Sequence, residues 1–248
     1  MTKKDQSLMG RRVVITGAAR GLGRALAIIA ADRGADVVLL GRDSAKLNTV
    51  SDVIGKRSGA EAMVVPCDLA RPESVAAACE SVLASNPVVD VLINNGAPWL
   101  TGSLVDTSDA DIVATIGAAV TGTVLLTKGL LPGLCRSEAA DIVTIVSTAG
   151  ILGWDASEAS AAFYAAKHGQ SGFSDRLRHE MKEHGIRVSA LYPPDFEELD
   201  PLDSRWDEAA EPGEAAGLTN REIVSTVLHT ITAPRSCSFP VIVIEAMQ

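Results

Sequence analysis

Eleven consecutive residues, Val13-Val14-Ile15-Thr16-Gly17-Ala18-Ala19-Arg20-Gly21-Leu22-Gly23, set the architecture of this 248-residue chain. An apolar, β-branched run ends in three glycines, and an Ala/Leu/Ile-rich helical stretch follows at once. That is the order strand, tight turn, helix start. The glycines place no side chain between backbone and ligand, and the first-turn N–H groups of the helix point outward without intrahelical partners. An anionic pyrophosphate needs several such donors together. Glycines also make ordinary turns, so the strand before and the helix after are what give the pattern meaning.

Beyond this turn, β-rich apolar runs alternate with helix-period stretches to the end of the chain. Strands are expected near 12–16, 36–40, 61–66, 89–94, 141–147, 186–192 and 240–244, and helices near 22–33, 43–57, 71–84, 108–131, 161–184 and 219–232. Strands separated by single helices pair in parallel through right-handed crossovers. The expected fold is therefore α/β, a doubly wound and mostly parallel seven-stranded sheet with helices on both faces. The composition agrees: 47% of residues are hydrophobic and only 4% aromatic, so Ala, Val, Ile and Leu must build the core. No linker or composition shift divides the chain before residue 195, and residues 1–248 are read as a single domain.

Several function classes are disfavoured. Of the net charge of −9, the stretch from Asp195 to Glu214 carries −8, nine acids against Arg205, and there is no basic stripe for nucleic acid. Residues 1–10 lack the apolar core of a signal peptide, and no apolar run reads as membrane-spanning. The cysteines at 67, 79, 135 and 237 form no Cys-x-x-Cys pair, and the four histidines lack metal-ligand spacing. Reduced thiols in a cytoplasm, with no metal site, are the expectation.

The spacing Gly-x-x-x-Gly-x-Gly with Thr16 before it resembles the opening turn of the short-chain dehydrogenase/reductase family, which has a Rossmann-like fold. Gly17, Ala19, Arg20, Gly21, Leu22 and Gly23 then belong to the cofactor turn, and the resemblance implies a nicotinamide cofactor. In such folds the residue about twenty after the turn faces the adenosine ribose, and an acid there suits a free 2′-hydroxyl. Here it is Arg42. With Arg20 it makes two guanidiniums whose fork geometry matches a 2′-phosphate, so NADP(H) is expected over NAD(H). The competing reading is two unrelated surface arginines. Asp43 beside them reads as a helix N-terminal residue.

Asp68 and Leu69 match a pair that lies against the adenine in the family, although Asp68 alone could equally cap a helix before Arg71-Pro72. Asn94-Asn95-Gly96-Ala97 resembles the family's Asn-Asn-Ala-Gly with its last two residues transposed, placing Asn95, Gly96 and Ala97 beside the cofactor. The resemblance further implies hydride transfer between the nicotinamide and a carbonyl or alcohol, with a Ser, a Tyr and a Lys in the site. The Ser hydroxyl holds the substrate oxygen, and the Tyr hydroxyl gives it a proton. A free Tyr, with a pKa of about 10, is too weak an acid near neutrality unless an ammonium stands nearby.

Ser147, three residues before Gly150 at the end of a buried strand, matches the serine; a turn-forming serine is the plain alternative. The family's Tyr-x-x-x-Lys is displaced. Alignment on Lys167 puts Phe163 in the tyrosine's place, with Tyr164 only three residues before Lys167; His168 is the residue four after Tyr164. Residues three apart still share a helix face, so Tyr164 is read as the proton donor, against a helix-start tyrosine with its hydroxyl in water. Lys167 is read as the group that lowers the tyrosine pKa and bonds the nicotinamide ribose.

The family's supporting Asn is replaced by Ala119, which leaves the proton relay without that group. The Pro-Gly turn after the sixth strand is Pro193-Pro194, with Pro193 expected at the nicotinamide carboxamide and Glu198 in place of a threonine. The acidic segment, about 195–218, occupies the substrate lid, either as a solvated mobile loop or as a negative cover that disfavours acyl-CoA, acyl-carrier-protein and phosphorylated substrates. The expectation is an NADP(H)-dependent oxidoreductase on a small carbonyl or alcohol, acting as a homodimer or homotetramer paired through the helices at 108–131 and 161–184. The alternative is an NADP(H)-binding scaffold or sensor with little turnover.

Overall fold

A computed structural model describes residues 7–154, 158–206 and 217–246. Seven strands form one sheet: β1 (Arg12–Thr16), β2 (Asp36–Gly41), β3 (Met63–Pro66), β4 (Val91–Asn94), β5 (Asp141–Ile145), β6 (Arg187–Tyr192) and β7 (Val241–Val243). Their order is β3-β2-β1-β4-β5-β6-β7, and every neighbouring pair is parallel. The helices are α1 (Gly21–Asp32), α2 (Ser44–Ser58), α3 (Pro72–Ser85), α4 (Asp109–Ile116), α5 (Thr123–Leu134), α6 (Ala161–Glu180) and α7 (Asn220–Thr232).

Both faces of the sheet are apolar, which is why the strands read as unbroken hydrophobic runs. Alternate residues go to opposite sides. Val13, Ile15, Val37, Leu39, Val91 and Ile93 pack with α1, α2 and α7. Val14, Val38, Leu40, Leu92 and Ile142 pack with α3, α5 and the end of α6. The strand order reverses between β1 and β4. That reversal opens a crevice beyond their C-terminal ends, the usual ligand position in open α/β sheets.

Three expectations change in detail. The fifth strand stops at Ile145 rather than 147, because Ser147 leaves the extended region with φ 139° and a 3₁₀ turn, Thr148–Gly150, follows. The helix expected over 108–131 runs to Leu134, with Pro132 inside it, and is interrupted by a π-helical turn at Gly117–Gly122. This continuous Asp109–Leu134 run is, by length and composition, apolar enough to cross a membrane, contrary to the expectation that no such run exists. Here its residues Leu126, Leu130 and Leu134 pack into the core.

The acidic segment also differs. Of the lid, residues 207–216 lie outside the described residues; within 195–206 the acids are mostly exposed, but the segment is anchored to the core. Leu199 and Trp206 are buried in the core around α1 and α7. Asn220 clamps Leu199 by accepting from its N–H and donating to its carbonyl, both at 2.9 Å.

The opposite, N-terminal edge of the sheet is fastened by charge. Buried Asp141 takes Arg187 at 2.6 Å, Arg11 at 2.8 Å and Arg235 at 3.2 Å. These guanidiniums also donate to the backbone carbonyls of Ile231, Ala233 and Cys237, so the lead into β7 is stitched to β1, β5 and β6.

Candidate functional site

The glycine turn folds as the residue types require. Gly17 and Gly21 have φ of +67° and +52°, values side chains disfavour. A Cβ on Gly23 would lie 2.2 Å from the carbonyl oxygen of Gly17, so α1 can start this close to β1 only with glycine there. Thr16 ties the turn to the next strand end: its hydroxyl accepts from the N–H groups of Asn95 at 2.9 Å and Gly96 at 2.8 Å. Asn95 returns a side-chain bond to the Thr16 carbonyl at 3.0 Å. The transposed Gly96-Ala97 keeps the close approach, because a Cβ on Gly96 would meet Leu69 at 3.0 Å.

Ala19, half-buried, and Leu22, buried, flank the cradle. Arg20 supplies α1 with no side-chain cap, and the first turn contains no acid. Arg20 and Arg42, at the ends of the adjacent strands β1 and β2, are exposed and make no ion pair among the described residues. Asp43 instead caps α2, accepting from the Lys46 N–H at 3.1 Å. Asp68 is committed locally: one carboxylate oxygen accepts from the Ala70 N–H at 3.1 Å, closing a turn, while Arg71 takes the cap position of α3.

The second half of the site lies beyond β5. Ser147, with φ 139° and ψ 157°, is the one non-glycine residue of positive φ among the described residues. Such backbone costs on the order of 1–3 kcal/mol and persists only where its surroundings enforce it. They do so here: the Thr148 N–H donates to the Pro193 carbonyl at 3.0 Å, and Gly150 packs against Lys167 so tightly that a Cβ would lie 2.9 Å from its carbonyl oxygen. Pro193 thus positions the serine turn. The Ser147 hydroxyl oxygen accepts from the Ala149 N–H at 3.1 Å, which leaves its proton available to a substrate oxygen.

On α6, capped by Ser160, the one-residue displacement has a visible consequence. Phe163 stands on the Lys167 face. Its ring lies 5.4 Å from the ammonium nitrogen and packs edge-on against Trp99 at 4.8 Å. One helical residue is a rotation of about 100°. Tyr164 accordingly makes no hydrogen bond to Ser147 or Lys167 among the described residues. Nor does its hydroxyl reach water, as a helix-start tyrosine's would; it is buried without a partner.

Lys167, expected at a ribose, is turned inward. Its ammonium donates to the Ile145 carbonyl and to Gln170 Oε1, both at 3.0 Å, and the residue is only 5% exposed. Gln170 donates in turn to Thr123 Oγ1 at 3.5 Å, beside the π-helical turn that holds buried Ala119. That turn forms without the family's Asn, and Gln170 takes up the lysine. Sequence reasoning missed Gln170. The available signal was a polar residue three positions after Lys167 on a helix face that must be buried.

Burial without an anionic partner pushes the Lys167 pKa down to about 7. Below pH 7 the lysine is protonated in both the folded and the unfolded chain, and the burial cost is fully present. Above pH 7 the unfolded chain keeps a proton that the folded chain has lost, so stability rises with pH. Urea unfolding is expected to show a gain approaching about 1.4 kcal/mol per pH unit between pH 7 and about 8.5. Beyond that, the buried thiols of Cys67 and Cys79, pushed up to about 12 and about 11, act in the opposite sense. Lys167→Met should flatten the slope; an unchanged slope would show that Lys167 titrates normally.

Comparison with known proteins agrees with this architecture. The model of the short chain dehydrogenase family matches residues 11–203. Dehydrogenase/reductase SDR family member 7B of Bos taurus is 36% identical over 186 residues, 73% of this chain and 56% of that protein. The chain thus spans little more than half the length of these curated relatives. An uncharacterized oxidoreductase of Staphylococcus aureus is 25% identical over 92% of this chain and 94% of its own. Among solved structures, a metagenomic short-chain oxidoreductase in complex with NADP is 29% identical, with a TM-score of 0.80 over 98% of this chain and 99% of that one. The L-sorbose reductase of Gluconobacter frateurii, complexed with NADPH and L-sorbose, shares the fold with a TM-score of 0.84 at 22% identity, over 98% and 97% of the two chains. With its glycine turn, parallel sheet and Ser147 strand end in place, the chain belongs to the short-chain dehydrogenase family.

Proposed function

We propose that this protein is an NADP(H)-dependent oxidoreductase acting on a small carbonyl or alcohol. The observation that supports this most is a glycine cradle flanked by two exposed arginines that make no ion pair among the described residues, while the nearby Asp43 is spent on a helix cap. Gly17, Ala19, Gly21, Leu22 and Gly23 would hold the pyrophosphate. Arg20 and Arg42 would hold a 2′-phosphate. Leu69, Asn95, Gly96 and Ala97 would line the adenosine side, with Asp68 offering the adenine whatever acceptor capacity its turn leaves. The NADP and NADPH in the two structural relatives above point the same way.

When bound, the nicotinamide supplies or takes the hydride. The chain's own residues orient the substrate and handle the proton. Ser147, locked by its backbone, donates its O–H to the substrate oxygen. Tyr164 holds the proton at a hydroxyl that has no other partner among the described residues. Lys167, pinned by Gln170 and Ile145, is the nearby amine, its pKa pushed down to about 7 by burial. We place subunit pairing, as a homodimer or homotetramer, on the face of α4, α5 and α6, where Val113 is 70% exposed.

Phe163 favours a second reading, in which the protein binds NADP(H) with little turnover, because a ring without a hydroxyl fills the Lys167 face. One experiment separates the two. NADPH is titrated by its fluorescence, and a panel of neutral ketones, aldehydes and sugars is then added while absorbance is followed. Consumption with any member supports the oxidoreductase. Tight binding with no consumption across the panel supports the binder, and no binding refutes both.

A further inference from the structure

The cradle is open to solution but not empty of charge. Glu198 lies across it. A Cβ built on Gly21 would stand 2.2 Å from one carboxylate oxygen of Glu198, 2.7 Å from its carbon and 2.9 Å from the other oxygen. The carboxylate therefore fills the volume that glycine keeps free at the first turn of α1. This is the anion position of a strand–glycine turn–helix unit, and an anionic side chain has settled into it.

The residues on either side of Glu198 are fixed. The Glu197 N–H donates to the Leu218 carbonyl at 2.9 Å, and the Glu197 carbonyl accepts from the Asn220 N–H at 3.0 Å. Leu199 is buried and clamped by Asn220. Asp200 pairs with Arg24 of α1 at 2.9 Å, and Arg57 donates to the Pro201 carbonyl at 3.3 Å. Glu198 itself makes no hydrogen bond or ion pair among the described residues. Its backbone is tethered beside the cradle while its carboxylate is held by nothing but contact with the turn.

We propose that Glu198 is a tethered competitor of the cofactor: its carboxylate and a dinucleotide pyrophosphate exclude each other from Gly21, so Glu198 sets the affinity for NADP(H). This rests on the nucleotide-binding reading above. Two anions cannot share one first-turn site, because both their volumes and their charges conflict. Binding therefore requires the Glu198 side chain to swing away. The swing surrenders no hydrogen bond; what it gives up is the favourable place of an anion at the helix N-terminus, and that loss is subtracted from every binding event.

The test is NADPH titration, followed by fluorescence, of the full chain and three variants. Glu198→Ala removes bulk and charge, Glu198→Gln removes charge alone, and Asp203→Asn removes one acid of the same segment away from the cradle. Glu198→Ala is expected to tighten binding about tenfold or more, equivalent to about 1.4 kcal/mol. Glu198→Gln should tighten it in the same direction, and Asp203→Asn should leave it unchanged. Equal tightening by Asp203→Asn would overturn the proposal in favour of a diffuse charge effect. Unchanged or weaker binding by both Glu198 variants would overturn it while leaving the nucleotide site standing. Binding by none of the four proteins would refute the nucleotide reading, and this proposal with it.

Discussion

Tyr164→Phe is expected to lower NADPH consumption by roughly 10²- to 10⁴-fold, the range of a lost general acid, while NADPH affinity stays unchanged. The same change should make the protein slightly more stable. In the free protein the Tyr164 hydroxyl is buried and makes no hydrogen bond among the described residues, and leaving such a group unpaired costs about 1–3 kcal/mol. Removing the oxygen removes that cost. Loss of turnover with a raised melting temperature is the signature of a group retained for chemistry against the interest of stability. Loss of both would mark Tyr164 as a packing residue. Phe163→Tyr is the companion variant. It places a hydroxyl on the ring that already faces Lys167, so a gain of about tenfold or more in turnover is expected if the substrate oxygen lies on the lysine face. If Tyr164→Phe retains full activity, a different group delivers the proton.

The second large effect concerns stability alone. Asp141→Asn should cost on the order of 3–5 kcal/mol, the usual penalty for stripping a buried charge cluster of one partner. Asp141 is the carboxylate on which Arg11, Arg187 and Arg235 converge. Without it, three guanidiniums confront one another at a buried strand end. For a chain of this size the loss corresponds to a fall in melting temperature of roughly 6–20 °C. The cluster sits at the N-terminal edge of the sheet and the glycine turn at the C-terminal edge, so NADPH affinity of the folded variant should not change. A fall of less than about 1 kcal/mol would mean that the carbonyl contacts of the arginines suffice by themselves.

Much of the fold could be read before any coordinates. Val13 to Thr16 and Val37 to Leu40 are apolar on both faces, so their strand character and burial follow from composition. The ends of the elements were set by local residues as well, with Gly59 closing α2 and Pro72 opening α3. What escaped the sequence was set by contacts between distant residues. The conformation of Ser147 depends on Pro193, 46 positions away. That Glu198 lies on Gly21 depends on Asn220 and Arg24 anchoring its neighbours. A run of acids suggested a solvated loop because charge density is local information, whereas the burial of Leu199 and Trp206 is not. The tyrosine displacement was legible as spacing, but its outcome was not. Only packing shows Phe163 against Trp99 and Lys167, with Tyr164 held away from both hydrogen-bonding partners expected for it.

The place of β1 inside the sheet, between β2 and β4, has a consequence for how the chain must be made. Of the seven strands, Arg12–Thr16 leaves the ribosome before the others, and β2 joins one flank soon afterwards. Its other neighbour is Val91–Asn94, which at ordinary elongation speeds appears roughly 4 to 15 s later. Through that interval one hydrogen-bonding edge of a fully buried strand has nothing to pair with. The nascent chain is therefore most vulnerable to self-association until Val91–Asn94 has been made, and chaperone engagement in that interval is the protection it needs.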